Sequence, residues 1–526
     1  MKIKQFLPPV FVFLSVFVVF ALYQFLWIGA SQLAGNDSYT HLAKTNIFIT
    51  EGFEEAKYEH MLPYTAWTDL HTDNTLVYDL LIAPLTYFPN QIIAAKLFTC
   101  LLAGVIASVF FTVSVRISKR SKLSLAATLL LFANYAFFLK FTELRSLVFS
   151  ILFFFLTAAV VLYGRRRYYL LSPIAFFYTL LHTSAFLMLL PLVVVLLADL
   201  KQYKHNLLMF AYSILGMLAA VLIFPVPNFL QIFVLQPVIP LYYLRSVFEI
   251  EGAYEVKGEI RTPLNFLITN LFSTFVLLSL LAAIIRNRYF RKLTPGQSAS
   301  ILLFVILVTL TFISRRFSEY ISPAALLMVS INAEFISRQF IKLKGILQKN
   351  AEIKLAFVLL VLISLPVFAF VFYTKFIRDN LERADLGQGL PDSYNAAVFA
   401  NTRLPEGALL FNHDWTDFPF FAYYAPVHKY AAGMELGFMY LHNPDMLRFY
   451  QDFRSYRNLE IRDGELIYTL NNLNAFHLIQ SEFGSNYLLM RKGKSEKTTA
   501  LLLQNYQEFG LEKEFEDENY VIFNIQ

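Results

Sequence analysis

The stretch PPVFVFLSVFVVFALYQFLWIGA at residues 8–30 runs directly into the polar stretch SQLAGNDSYTH at residues 31–41. The first stretch is apolar throughout and has the length of roughly 20 residues that a helix needs to cross about 30 Å of hydrocarbon. It is too long for a cleaved signal peptide, and no small-residue cleavage site follows it. The sequence therefore predicts a membrane span that ends in a loop carrying an acid and a histidine.

The composition of the whole chain also indicates a membrane protein. Hydrophobic residues make up 57% of the 526 residues, charged residues only 16%, and Phe alone occurs 55 times. A soluble globular protein carries about 25% charged residues, so a soluble or disordered chain is excluded. The single cysteine, Cys100, excludes a disulfide framework and a multi-thiolate metal site.

Eleven apolar runs are candidates for membrane spans, although Pro173 and Pro191 interrupt two short ones. Basic clusters occur in every second connection, and this pattern predicts a cytoplasmic N-terminus and a C-terminus on the outside. The predicted spans are 8–30, 91–115, 123–141, 146–163, 168–183, 184–199, 206–224, 264–285, 298–314, 320–337 and 355–375.

The charge balance changes after the last predicted span. Residues 378–526 hold 13 Lys and Arg against 21 Asp and Glu, although the net charge of the chain is +6. Strand-like runs at 408–412, 487–491 and 520–525 alternate with a helical run at 500–509 in this region. We predict an α-helical transmembrane bundle over 1–377, with a first external loop at 31–90, and an external α+β domain over 378–526. Because the basic residues of the bundle mark one membrane face, no nucleic-acid partner is expected.

The first external loop carries the first candidate site. If the segment after residue 36 is helical, Asp37 and His41 lie on one face of it. Ionisable groups at a membrane surface are functional candidates, although Asp37 could also cap the helix. Further along the loop, His71 and Asp73 could line a polar cavity or belong to a solvated acidic loop.

Two further pairs of charged residues stand at predicted external ends of spans. Glu143 could form a salt bridge with Arg145, or it could face Asp37 across a shared cavity. Arg315 and Arg316 lie on the outside, against the positive-inside tendency. A guanidinium group suits phosphate, although Arg316 could equally pair with Glu319.

The C-terminal region contributes Asp414, Trp415 and Asp417. Aromatic rings beside carboxylates are typical of sugar-binding surfaces, because rings stack on sugars and acids accept hydroxyl donors. The same residues could also form a strand-to-helix turn whose aromatics belong to the domain core.

In this order, the motifs resemble those of the GT-C superfamily of membrane glycosyltransferases, and especially the catalytic subunit family of oligosaccharyltransferase. The chain carries Ser38 where that family has Pro, a lone Glu143 as its second acidic motif, and no Tyr-Gly after Trp415. It is therefore more similar to distant members from bacterial envelope pathways. The matching positions are Asp37, Tyr39 and His41 after the first span, Glu143 after the third, Arg316, Phe317, Tyr320 and Pro323 late in the bundle, and, loosely, residues 413–417.

The resemblance implies a GT-C fold in a bacterial inner membrane, with the C-terminal domain in the periplasm. The donor would be a sugar on a polyprenyl phosphate carrier, bound from membrane lipid and transferred with inversion to a glycan, lipid or protein acceptor. Asp37 would act as general base or, in a metal-dependent enzyme, bind Mg²⁺ or Mn²⁺ together with Glu143; otherwise no cofactor is implied. Arg315 and Arg316 would bind the donor phosphate. The residues expected to position substrate are Tyr39, His41, His71, Asp73, Tyr320, Asp414, Trp415 and Asp417.

A transporter or flippase for lipid-linked sugars or polysaccharides is the main alternative function. Such proteins usually contain repeats with broken helices in corresponding positions, and the sequence shows no such symmetry. An O-antigen-type polymerase or ligase and a receptor module are further alternatives.

Overall fold

A computed structural model gives the architecture of the chain. It describes residues 3–70, 75–132, 134–223, 273–274, 276, 293–313, 317–338, 348, 392–433, 436–492 and 496–526. The spans predicted at 264–285, apart from three of its residues, and at 355–375 lie outside this part of the chain. The candidate site residues His71, Asp73, Arg315 and Arg316 lie outside it as well.

Up to residue 338, the regular elements in the described part of the chain are all helices. Its helices are α1 (Ile3–Leu22), α2 (Asp37–Thr50), α3 (Tyr58–Met61), α4 (Ala66–Leu70), α5 (Leu76–Ile82), α6 (Gln91–Ser118), α7 (Ser121–Phe132), α8 (Tyr135–Thr142), α9 (Leu147–Leu162), α10 (Leu171–Leu181), α11 (Leu189–Ala198), α12 (Tyr203–Ile223), α13 (Pro295–Ile313) and α14 (Ser318–Ile331). A π-helical turn extends α1 over Tyr23–Trp27, and 3₁₀ turns occupy Ala83–Tyr87, Arg165–Leu170, Thr183–Met188 and Leu200–Gln202.

Four helical segments in the described residues are long and apolar enough to cross a membrane. They are Leu7–Trp27, Gln91–Ser118, Leu200–Ile223 and Pro295–Phe312. Membrane association is therefore confirmed, whereas the number of eleven spans and the GT-C arrangement remain predictions. The span predicted at 123–141 is divided between α7 and α8. The two short spans predicted at 168–183 and 184–199 form two short helical segments that meet at His182.

Phenylalanine fills the core of this helical bundle. The helix α1 packs on α6, α10 on α12, and α13 on α14, and the rings of Phe110 and Phe155 lie 4.1 Å apart between centroids. Lys96 of α6 is fully buried inside the bundle. Its ammonium donates to the carbonyl oxygen of Gln24 at 2.9 Å and to that of Gly29. The π-helical turn and the loop after α1 thus supply the carbonyls that satisfy this buried cation.

The C-terminal region is an α+β unit, as the sequence predicts. Its elements are α15 (Tyr394–Arg403), β1 (Leu409–Asn412), α16 (Phe418–Tyr424), β2 (Lys429–Tyr430), α17 (Leu436–His442), α18 (Pro444–Ser455), β3 (Leu459–Arg462), β4 (Glu465–Tyr468), β5 (Leu473–Asn474), α19 (Ala475–Phe483), β6 (Tyr487–Arg491), α20 (Glu496–Asn505), β7 (Leu511–Glu516) and β8 (Tyr520–Ile525). The main sheet has the order β2-β1-β6-β8-β7, in which β1 runs parallel to β2 and β6, and β8 runs antiparallel to β6 and β7. The strands β3, β4 and β5 form a small antiparallel sheet.

The first loop and the C-terminal region share one hydrophobic core. Tyr58 and Trp67 of the loop are buried in the same cluster as residues of α15, α16 and β8. The ring of Trp67 lies 4.4 Å from that of Phe438. A Cβ atom added to Gly433 would lie only 2.5 Å from the ring of Phe418 and 2.8 Å from a methyl of Leu62. The two segments, distant in sequence, therefore pack together at close range.

Replacement of Trp67 tests this shared core. Trp67 is 2% exposed and Trp27 of the bundle is 44% exposed. Because a large cavity would form only at the first position, we expect Trp67→Ala to lower the free energy of unfolding of the C-terminal region by about 3–5 kcal/mol, and Trp27→Ala by less than about 1 kcal/mol. Thermal unfolding in detergent, followed by near-UV circular dichroism, measures the difference. Equal destabilisation by the two variants would contradict a shared core.

Candidate functional site

The start of α2 brings two predicted site residues together. One oxygen of the Asp37 carboxylate lies 2.7 Å from a guanidinium nitrogen of Arg145. The other terminal nitrogen of Arg145 donates to Glu143 at 2.8 Å. Glu143 therefore forms the salt bridge with Arg145 that the sequence suggests, and Asp37 pairs with the same guanidinium. A cavity shared by Asp37 and Glu143 remains a prediction. The helix-capping alternative for Asp37 is not seen, since Asn36 occupies the capping position and makes no capping hydrogen bond.

Two small residues hold this group in place. The backbone N–H of Leu144 donates to the hydroxyl of Ser38 at 2.8 Å, and that hydroxyl donates to the carbonyl of Ala34 at 2.6 Å. A Cβ atom added to Gly35 would lie 2.6 Å from Cγ of Glu143, and Gly35 has a φ of +73° that favours glycine. Ser38 and Gly35 thus fix the loop after α8 against the first turn of α2. This accounts physically for a serine at the position after Asp37.

A further ion pair extends the charged group to α14. Lys140 at the end of α8 lies 3.2 Å from a carboxylate oxygen of Glu319. Glu319 also raises the pKa of Arg145, together with Asp37 and Glu143, and these three outweigh the opposite effect of burial. The partner of Glu319 in the described residues is therefore Lys140, whereas Arg316, the partner considered from the sequence, lies outside them.

One turn further along α2, a histidine, a lysine and an aspartate are buried together. The carboxylate of Asp79 lies 2.6 Å from Nδ1 of His41 and 2.8 Å from the ammonium of Lys44. Lys44 and Thr75 also lie within hydrogen-bond distance, at 2.8 Å. Burial by itself would raise the pKa of Asp79, but Lys44 and His41 hold it below its usual range. These groups join α2 to α5 through a charge network with almost no exposure to solvent.

The two predicted tyrosines lie in the interior. The hydroxyl of Tyr39 accepts the backbone N–H of Leu33 at 3.1 Å, and its ring lies 4.7 Å from that of Phe420. The hydroxyl of Tyr320 lies 2.6 Å from that of Ser150 and 2.8 Å from that of Ser184. Both hydroxyl groups are thus engaged within the protein, which favours structural roles over direct contact with a substrate.

The hydroxyl group of Tyr320 belongs to a polar cluster within the bundle. Its other members are Tyr178, Ser150 and Ser184, and Ser184 lies 2.8 Å from Nδ1 of His182. The backbone N–H of Ser184 also donates to this nitrogen at 3.0 Å, so Nδ1 is an acceptor and the neutral ring carries its proton on Nε2. The break between α10 and the following turn therefore places a polar group among apolar helices.

The three residues of the C-terminal motif occupy a strand-to-helix turn. Asp414 accepts the backbone N–H of Thr416 at 3.0 Å, and Asp417 accepts the hydroxyl of Tyr520 at 2.8 Å. Both carboxylates are 1% exposed, and Trp415 packs partly buried on the domain core. The structural alternative considered from the sequence is therefore realised. The turn nevertheless lies beside Asp37, because the side chain of Asn36 donates to the carbonyl of Thr416 at 3.2 Å.

The pair Asp37 and Glu143 does not fit a divalent cation. A guanidinium lies between the two carboxylates and already binds both of them. Within the described residues, no three His, Cys, Asp or Glu side chains converge as metal ligands. The arrangement is suited to one organic cation, Arg145, rather than to the several oxygen ligands that Mg²⁺ or Mn²⁺ requires.

Sequence reasoning missed several residues of this region. Arg145 was considered only as the partner of Glu143, and Lys44 and Lys140 were not considered, although each is a charge within or beside an apolar run. Asp79 is likewise absent from the site residues that the sequence predicts. No protein-family model and no curated protein matches this chain, so the site is defined by its geometry.

The buried histidine of the C-terminal motif predicts a dependence of stability on pH. His413 is 1% exposed, and burial lowers its pKa to about 4 although Asp414 acts in the opposite direction. Because the unfolded chain binds the proton more readily, the neutral ring stabilises the fold above about pH 6.5, and this stability is lost as the pH falls toward about 4. We expect a loss of about 3 kcal/mol in the free energy of unfolding of the C-terminal region.

Denaturant unfolding between pH 7 and pH 4 measures this loss. His413→Gln should show a shallower dependence on pH than the wild type, because the titrating group is gone. His477→Gln is the matched control, since His477 is exposed on the same domain, and it should retain the wild-type dependence. A wild-type slope in His413→Gln would show that other groups cause it.

Proposed function

We propose that this chain is a membrane glycosyltransferase that uses a polyprenyl-phosphate-linked sugar as its donor. It would act at the external face of the membrane, and transfer would invert the anomeric carbon. The acceptor would be a glycan, a lipid or a protein. The apolar helices support a donor that arrives through lipid, because its carrier chain is as apolar as the bilayer.

The convergence of Asp37 and Glu143 on Arg145 carries this proposal. The two acids come from different loops, yet they meet at a single guanidinium where the helical bundle adjoins the C-terminal domain. An enzyme that joins a membrane-bound donor to an acceptor outside the membrane needs its charged groups at this junction. Asp37 has 31% of its side chain exposed, so it can reach a bound molecule.

The residues of this junction can be given roles in such a reaction. Asp37 faces the acceptor and is the first candidate for the group that takes its proton. Arg145 and Glu143 hold Asp37 in position. Arg315 and Arg316 keep the role that the sequence suggests for them, which is to stabilise the charge on the departing phosphate. The break at His182 and its cluster of hydroxyl groups supports the alternative of a lipid-linked sugar transporter, because transporters place polar sites at broken helices.

Replacement of Asp37 tests the enzymatic proposal. The protein is reconstituted into vesicles with undecaprenyl phosphate esters of tritiated hexoses and pentoses, together with membrane extract of the source organism as acceptor. We expect the wild type to release undecaprenyl phosphate from one of these donors, and Asp37→Asn to lower the rate by at least about 100-fold with an unchanged melting temperature. Thin-layer chromatography of the lipid products measures the rate.

A matched control and a second measurement make this test decisive. Asp445→Asn removes a carboxylate that is 89% exposed on α18 and should keep full activity. Full activity of Asp37→Asn would refute its role. Movement of the labelled lipid across the vesicle membrane without release of the carrier phosphate would instead support the transporter.

The poor fit of a divalent cation predicts turnover without metal. Because the guanidinium of Arg145 already binds both Asp37 and Glu143, we expect the rate of carrier release to be the same in excess EDTA as in Mg²⁺ or Mn²⁺. The same vesicle assay measures this rate. Loss of activity in EDTA, with recovery on addition of one of these ions, would show that a metal ion displaces Arg145 from the two carboxylates in the active enzyme.

A further inference from the structure

We propose that His41, oriented by Asp79, is the group that takes the proton from the acceptor, and that Asp37 stabilises the positive charge of the reacting sugar. This inference rests on the proposed glycosyltransferase function and assigns the general base of that same site. It revises the first assignment of the base to Asp37.

The geometry of His41 is that of an oriented base. Its Nδ1 lies 2.6 Å from the Asp79 carboxylate, which is ionised and can only accept a hydrogen bond. The proton of the neutral ring is therefore on Nδ1, and the lone pair is on Nε2. A buried carboxylate that binds Nδ1–H in this way fixes the tautomer and stabilises the imidazolium ion when it forms.

The carboxylate of Asp79 is itself fixed in place. Its second oxygen lies 2.8 Å from Lys44 and accepts the hydroxyl of Thr75 at 3.1 Å. The ammonium of Lys44 also lies 3.8 Å from the centre of the Tyr58 ring. Because each charge of the network is balanced, the dyad can remain buried and keep its orientation.

The other ring nitrogen of His41 is available. Nε2 makes no hydrogen bond within the described part of the chain, and this atom is not completely buried. The side chain of His41 is 4% exposed, so this small opening lies at Nε2. In a histidine with a purely structural role, we would expect each ring nitrogen either to make a hydrogen bond or to be completely buried.

His41 and Asp37 belong to one site. They stand four residues apart on α2, which places them on the same face. The ring of His41 lies 4.8 Å from that of Tyr78, between centroids, and Arg145 is close enough to act electrostatically on the phenol of Tyr78. The group that binds Asp37 thus acts electrostatically on a ring that packs against His41.

Asp37 is the less suitable proton acceptor of the two. To accept a proton it would have to give up the charge that binds Arg145 at 2.7 Å. An imidazolium ion formed at His41 would instead face the Asp79 carboxylate, which lies 2.6 Å from Nδ1. Asp37 can instead remain ionised and interact with the cationic transition state of the sugar.

The proposed step is balanced. The acceptor oxygen forms a bond to the anomeric carbon, and the bond from that carbon to the phosphate oxygen breaks, with its electron pair leaving on the phosphate. The acceptor proton moves to Nε2 of His41. The imidazolium ion later returns this proton to water, and the carrier phosphate leaves as an anion.

Imidazole rescue of His41→Ala tests this assignment. With the donor that the wild type consumes in the vesicle assay, we expect His41→Ala to lower the rate of carrier release by about 100- to 10,000-fold. Added imidazole should restore part of this activity, in proportion to the concentration of its unprotonated form at each pH. His60→Ala, which changes a partly exposed histidine of the same loop, should keep full activity.

The test includes the charged and titratable groups that surround His41. They are Lys44 on α2, Tyr78 and Asp79 on α5, and Arg145 before α9. Asp79→Asn combined with Lys44→Met removes the orienting carboxylate together with its counterion, so that no single buried charge remains. We expect this double variant to fold, to be slower than the wild type by at least about 10-fold, and to gain nothing from imidazole.

The outcomes separate this inference from the proposed function. Full activity of His41→Ala beside an inactive Asp37→Asn would overturn the role of His41 and leave the glycosyltransferase proposal standing. A folded His41→Ala variant that is inactive and unaffected by imidazole would return His41 to a structural role. If the wild type releases no carrier from any donor, the proposed function itself fails.

Discussion

Helix α2 is enclosed by protein on nearly every side, and this enclosure determines the site. Polar side chains that are removed from water require partners. Ser38 binds the backbone before α9, and Lys44 and His41 share the carboxylate of Asp79. At the open end of the helix, Asp37 meets Arg145. The need to satisfy these groups brings two separate stretches of the chain, the loop before α9 and helix α5, to one helix.

The sequence predicts the parts of the structure that depend on local pattern. Long apolar runs become helices, and three runs with strand-like composition become β1, β6 and β8. The meeting of Asp37 with Glu143 follows from the predicted loops, because both stand at the same end of their spans. The break of the third predicted span between α7 and α8 is not predictable in this way, since the run at 123–141 is mostly apolar and a single polar residue, Asn134, marks the break. Tertiary contacts, such as that of Asn134 with Ser322 at 3.0 Å, accompany the break.

The roles of individual charges were harder to predict. Lys44 lies in a mixed loop sequence, and nothing local shows that it becomes fully buried against Asp79. Arg145 could be paired with Glu143 from the sequence, but its second partner comes from a segment about one hundred residues away. The motif at Asp414, Trp415 and Asp417 suggests a binding surface, yet Asp414 binds the backbone of the turn between β1 and α16, and Asp417 binds the hydroxyl of Tyr520 on β8. Short sequence motifs therefore show which segments are rich in charged residues, but they do not show which of these residues face a ligand.

The shared core of the first loop and the C-terminal domain has a consequence for biosynthesis. Tyr58 and Trp67 are made early, whereas their packing partners Phe418 and Phe438 lie some 350 residues later in the chain. At about 5–20 residues per second, translation of the intervening segment takes roughly 20–70 s. During this interval the aromatic face of the first loop has no native partner, and it has to be shielded by a chaperone or by the membrane surface. A chain that stops before the C-terminal domain would expose this face permanently and would be a ready substrate for quality-control proteases.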